Sequence, residues 1–191
     1  MEISPDLDAE VSSIGLRPRK PASLSISTQK MSSDERSPLR EHMVTTGRRL
    51  VLAMEPGEEV IASIAGACHR HGIEQAIISM FSGAFRSATL IGATHPIGDP
   101  EAPLREAVEV AYTEGIGSGT VSSSADGEHV VHLHVALGEK SAGCRAVAGH
   151  VLSATVHYVA EVVLDEVLSP RFRREPSEAT SGIATLTFTD A

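Results

Sequence analysis

His132 and His134 stand one residue apart in VVHLHVAL, and His150 opens a similar run, HVLSATV, sixteen residues after His134. An imidazole with a free nitrogen lone pair is a strong ligand for zinc and its neighbours, and it is also a general acid or base near neutral pH. Side chains of a β-strand alternate faces, so residues i and i+2 point the same way and both rings of the pair can reach one small object. Val131, Leu133 and Val135 then lie on the opposite face and read as core. If the two runs pair as neighbouring strands, His150 arrives beside the pair. Three imidazoles then converge on a site that keeps a coordination position open, and zinc is the commonest occupant of such a site. The plainer alternative is that these are half-buried polar residues with one hydrogen bond each, since nine histidines in 191 residues make close pairs common.

Two further residues are candidates for work beside such a site. Arg145 is placed to clamp an anion, and Glu161 to serve as acid or base. The ordinary readings are a solvated arginine and a salt-bridged strand end. Cys68 and Cys144 form no framework and no metal-finger spacing, so Cys68 reads as a core thiol and the compartment as cytoplasmic.

The elements that position the histidines follow from periodicity. Arg48–Met54 alternates as a strand and stops at Pro56-Gly57. Glu58–His71 carries apolar residues at three- and four-residue steps, with Glu58 and Glu59 in the first turn, basic residues in the last, and Gly72 as the cap beyond it. Ile73–Met80 is a second strand, broken at Ser82-Gly83-Ala84 before another apolar run from Phe85 to Gly92. His95–Arg105 is a loop. In Val108–Val121 the glycines at 115, 117 and 119 clear one strand face, which lets another chain or a ligand approach closely or permits a strong bend. Asp126-Gly127 is a hairpin turn leading into the histidine pair. Leu137–Gly149 reads as a long connection, Val151–Leu168 as a strand, Arg171–Arg174 as a basic cluster before a polar loop, and Gly182–Thr189 as a closing strand. The sum is an α+β fold, a mostly antiparallel sheet of about seven strands with one main helix.

Composition sets the outer limits. Residues 1–41 are rich in Ser, Pro and mixed charge and are expected to be a disordered tail, leaving 42–191 as the folded domain. The tail contains RPRKP, Arg17–Pro21, a short basic cluster that fits a DNA minor groove or bulk water. With 16 Lys and Arg against 25 Asp and Glu, a net charge of −9 disfavours binding of a nucleic-acid backbone by the folded surface. No apolar run approaches the roughly 18 residues of a membrane span. The expectation is a soluble protein without membrane contact.

In this order, LVLAMEPGEEVIASIAGACHRHGI, SGAFRSATL, HVVHLHVAL and AGHVLSATVHYVAEVVL resemble the PPC domain, the plant and prokaryote conserved domain, over residues 48–188. The resemblance implies a homotrimer and, in bacterial relatives, a metal held by histidines matching His132, His134 and His150. It also implies the label of predicted DNA-binding protein, although the Arg-Gly-Arg-Pro minor-groove element of the plant members has no equivalent here. Two functions follow. One is a DNA-associated or regulatory homotrimer carrying the three-histidine site with zinc. The other is a metal-dependent enzyme or small-ligand-binding protein using the same site.

Overall fold

The structure, a computed structural model, describes residues 40–189 except 94, 96, 125 and 144. The expected tail and its RPRKP cluster lie outside the described residues but for Arg40 and Glu41, and Cys144 lies outside them as well. Seven strands and one α-helix run in the order β1 (Thr45–Met54), α1 (Val60–His71), β2 (Ala76–Ile91), β3 (Ala107–Ser123), β4 (His129–Glu139), β5 (Arg145–Ser169), β6 (Arg171–Pro176) and β7 (Ala184–Thr189). All pairings are antiparallel. The α+β class with a mostly antiparallel sheet and one helix is what the periodicity predicted.

The large sheet closes on itself. β2 pairs with β3 on one side and β5 on the other, β3 pairs with β4, and β4 pairs back onto the start of β5. Closure removes the open edges that a four-stranded sheet would otherwise expose. β1 adds to the far half of β5, from Thr45 opposite Ser169 to Met54 opposite Ala160. Inward side chains of β4, namely Val131, Leu133, Val135 and Leu137, join Phe81 and Phe85 of β2 and Ile64 and Cys68 of α1 in one apolar core.

Opposite the large inward residues of β4 stand glycines of β3: Gly119 faces Leu133, Gly117 faces Val135 and Gly115 faces Leu137. A Cβ on Gly115 or Gly119 would fall 2.0 Å from the carbonyl oxygen of Ala136 or His132. The neighbour that the alternating glycines admit is therefore β4 of the same chain, not another chain, and what they permit is tight coiling of this hairpin.

Helix α1 starts later than the charge pattern indicates. Glu59 is its N-cap, extended at φ −88°, and accepts a hydrogen bond from the Ala62 amide at 2.6 Å, while its other carboxylate oxygen accepts from the Ala154 amide of β5 at 3.1 Å. Glu58 turns back to accept from the Glu55 amide. Both acids are thus spent on the helix entrance rather than in its first turn. The C-terminus is as expected, with Gly72 left-handed at φ 61°. Cys68 is fully buried, and burial pushes its thiol up to about 11, as befits a core residue.

Three other departures share one cause. β2 runs unbroken through Ser82-Gly83-Ala84, the expected 137–149 connection is mostly strand around a 3-10 turn at Lys140–Ala142, and the arginine cluster is strand β6, paired with β7. Glycine and polar residues there signal turns locally, but each segment has a ladder partner that satisfies its backbone. Gly83 is needed because β5 comes close, a Cβ there lying 2.8 Å from that of Ala160.

Arg48 fastens β1 to β5 and to the end of α1. Its Nε and Nη2 donate to Glu166 at 2.8 and 2.6 Å, its amide donates to the same carboxylate at 2.8 Å, and Nη1 donates to the His71 carbonyl at 2.9 Å. These bonds hold the Glu166 carboxyl at about 2, against an ordinary 4.5. A folded-state value below the unfolded one means that the contribution is full above pH 4.5 and fades as pH falls toward 2. Asp165 beside Arg49 shifts in the same direction, through the hydrogen bond from Arg49 first. Glu166→Gln is expected to lower the melting temperature at pH 7 by a few degrees and to flatten its fall between pH 4.5 and 2. Melting curves across that range for both proteins check it, and parallel curves refute it.

Among the described residues no helix is long and apolar enough to cross a membrane.

Candidate metal centre

The two runs do pair. His134 of β4 lies directly opposite His150 of β5, and His132 stands two residues back on the same face of β4. Ring centroids are 4.9 Å apart for His132 and His134, 4.7 Å for His132 and His150, and 5.3 Å for His134 and His150. One ligand nitrogen from each ring lies within 4.8 Å of those from the other two. The face is the outer one, since the alternate residues Val131, Leu133 and Val135 are buried inside. His134 is exposed, and His132 and His150 are half-buried.

The surroundings of His132 and His150 keep these two rings basic in the Lewis sense but unprotonated. Burial, then the charge of Arg174, then the other two histidines lower His132 to about 4. His150 is lowered by burial, then by His134 and Arg174. Neutral imidazole is the ligating form, so both present lone pairs at neutral pH. The Nδ1 of His150 is buried and meets no hydrogen-bond partner among the described residues.

The donor set fits a transition metal. Zinc–imidazole bonds of about 2.0–2.1 Å in a tetrahedron place donors about 3.4 Å apart, so ring movements of the order of an ångström separate the present spacing from a closed site. The cluster contains no carboxylate, which favours zinc and its neighbours over calcium or magnesium.

The other candidates are elsewhere. Arg145 is exposed, five residues before His150 and opposite Glu139. Glu161 is exposed, eleven residues beyond His150 and opposite Ala53 and Ser82, so at about 3.3 Å per residue the strand carries it far from the rings. His129 points to the other face, where its Nε2 donates to the Ile73 carbonyl at 2.8 Å. His157 packs against Tyr112 and Tyr158.

A residue that periodicity alone did not single out is Arg174. Gln75, buried just before β2, donates to the Pro170 carbonyl and accepts from the Phe172 amide, both at 2.7 Å, and so clasps the start of β6. Phe172 turns inward and is buried, and Arg174, two residues on, faces the same way. Its Nη2 donates to Thr120 Oγ at 2.9 Å, and Thr120 is the ladder partner of His132. The only signal in the chain was its place in the Arg171–Arg174 cluster, and nothing there says which arginine turns inward.

Comparison with known proteins bears on this arrangement. The model of the Plants and Prokaryotes Conserved (PCC) domain matches residues 41–168. No curated protein matches the chain. Among solved structures, a plant- and prokaryote-conserved protein of Pyrococcus horikoshii is 26% identical at a TM-score of 0.62, with 77% of this chain and 97% of that one covered. A metal-containing protein of Archaeoglobus fulgidus is 24% identical at 0.61, covering 78% and 99%. A Bacteroides thetaiotaomicron protein whose name proposes DNA binding is 21% identical at 0.57, covering 77% and 99%. At 24% and 21% the likeness carries the fold and nothing of what those proteins bind.

Proposed function

This chain belongs to the Plants and Prokaryotes Conserved domain family, and from that premise we propose that it is a metal-binding protein in which His132, His134 and His150 hold one zinc ion and present it to a small ligand. The observation that carries the reading is the register of β4 against β5, which brings three nitrogen donors within 4.8 Å of one another on an outer face. When bound, zinc would supply a Lewis acid able to polarise a ligand oxygen or acidify a water. The chain's own part is to hold two rings from one strand and one from its neighbour, to keep His132 and His150 neutral, and to leave the His134 side accessible to a ligand. The test is direct: untagged protein dialysed against zinc and then against buffer is expected to retain close to one ion per chain. Wild-type protein that retains none overturns the reading.

The folded body, residues 42–191, is proposed to work as a homotrimer. Exposed Tyr112, Ile116, Leu152, Tyr158 and Val159 support association, since apolar residues of this size on a barrel's outside favour a partner. Light scattering is expected to return three times the 20.1 kDa chain mass; the mass of a monomer refutes it.

A DNA-associated, regulatory role is the competing reading, carried by RPRKP. The chain's balance of −9 opposes it, so a gel-shift titration on A/T-rich duplex at low salt, where electrostatic attraction is strongest, is expected to show no retardation. Retardation that fades with salt would restore the DNA reading.

A further inference from the structure

We infer that Arg174 is the anion anchor of the three-histidine site, so that the ligand taken there is a small oxyanion, a carboxylate or a phosphate, held between the guanidinium and the histidine face. The inference rests on the proposed metal reading and adds the class of ligand.

Arg174 differs both from the ion-paired arginines and from Arg105, which is exposed and donates to the Ser181 carbonyl at 3.3 Å. Arg48, Arg49 and Arg171 each meet a carboxylate, Glu166, Asp165 and Glu74, at 2.6 Å. Arg174 is half-buried, yet its hydrogen bonds go to neutral oxygens, Thr120 Oγ at 2.9 Å and the Ala184 carbonyl at 3.5 Å. Its Nε is buried and meets no acceptor among the described residues. A guanidinium taken partly out of water without a counter-charge is costly, and burial does draw its own pKa down.

Its position compounds the cost. Thr120, which holds it, is the ladder partner of His132, so the guanidinium is fixed on the sheet face that carries the histidines. A fixed cation beside three ligands for a second cation repels the metal that they would hold. An anion lying between the two removes the conflict, because it ligates on one side and accepts from a fork of N–H donors on the other. Nε–H belongs to an edge of that fork, the geometry that takes two oxygens of a carboxylate or phosphate. The support is built for precision: Gln75 clasps β6, Phe172 is sunk in the body, and Arg174 follows on the same face.

The experiment loads wild type, Arg174→Met, Arg174→Lys and Thr120→Val with cobalt(II) in place of zinc and titrates each with acetate and, separately, inorganic phosphate, following the visible spectrum. Isothermal titration of the metal-free proteins runs beside it. Arg174→Met is expected to hold cobalt as well as wild type does, or better, and to bind the preferred anion about tenfold or more weakly. Arg174→Lys keeps the charge and loses the fork, so it should fall between them. Thr120→Val, which only frees the guanidinium, should lose several-fold and serves with Arg174→Lys if Arg174→Met does not fold. The arm that binds tighter in wild type tells carboxylate from phosphate. Equal anion affinity in cobalt-loaded wild type and the Arg174 variants overturns the inference and leaves the metal reading standing. If wild type takes up no cobalt, the metal reading fails; anion binding by the metal-free protein that is lost in Arg174→Met still supports the anchor, and unchanged binding overturns it.

Discussion

Zinc binding is expected to disappear when any one of His132, His134 and His150 is changed to alanine, with the fold nearly untouched. Even residues that only orient a metal ligand cost about 10–100-fold in affinity when removed, so loss of one of three ligands should exceed that range and leave no zinc after dialysis. The fold should survive because the three rings project from the outer face, whereas Val131, Leu133 and Val135 hold the inner one. Removing a half-buried imidazole opens no cavity in the core, and the metal-free variants should melt within a few degrees of metal-free wild type. His129→Ala and His157→Ala are controls with opposite bookkeeping. His129→Ala gives up the hydrogen bond to the Ile73 carbonyl and His157→Ala the packing against Tyr112 and Tyr158, so each costs some stability. Neither touches the cluster, so both should keep wild-type zinc. Metal analysis per chain with melts of each protein checks this; equal zinc loss in the controls would show that the histidines act only as polar residues of the sheet.

Gly119→Ala is expected to be, with Gly115→Ala, the most damaging addition of a methyl group among the described glycines. Its Cβ would stand 2.0 Å from the His132 carbonyl oxygen and 3.0 Å from the Leu133 Cα, both backbone atoms of β4 that cannot rotate away. Relief requires β3 and β4 to separate, which breaks ladder bonds and shifts His132 together with its partner Thr120. Overpacking of this kind reaches about 3 kcal/mol or more, and a domain of this size loses roughly 2–4 °C per kcal/mol. The melting temperature should therefore drop by about 6–12 °C, and zinc affinity should fall with it. Gly115→Ala, 2.0 Å from the Ala136 carbonyl oxygen, should destabilise as much while sparing the metal ligands. Gly98→Ala, with nothing near its Cβ, should be neutral. A Gly119→Ala protein that melts with wild type would mean that β3 and β4 lie farther apart than described.

What the residues determined by themselves is what short-range periodicity can encode. The period of two in VVHLHVAL places His132 and His134 on one face and Val131, Leu133 and Val135 on the other, whichever strand lies alongside. The three- and four-residue steps from Val60 to Cys68, closed by Gly72, determine α1 in the same local way. The periodicities together carried the class of fold, and motifs in order along the chain carried the family. Tertiary structure decided everything that depends on which strands meet. The alternating glycines of β3 announce a close approach or a bend without saying by what, and only the ladder shows that the backbone of β4 in the same chain, with the Val135 side chain, fills that space. Segments that look like turns, 82–84 and 137–149, are strand because a partner satisfies their backbone, and no local signal reports a partner. The same limit separates Arg145 from Arg174. Arg145 lies near His150 in the chain and points to no site, whereas Arg174 lies 24 residues beyond His150 and comes back through β6, Gln75 and Thr120 to stand beside it. Distance along a chain is no guide to distance in a closed barrel, where registers, not neighbours in sequence, bring side chains together.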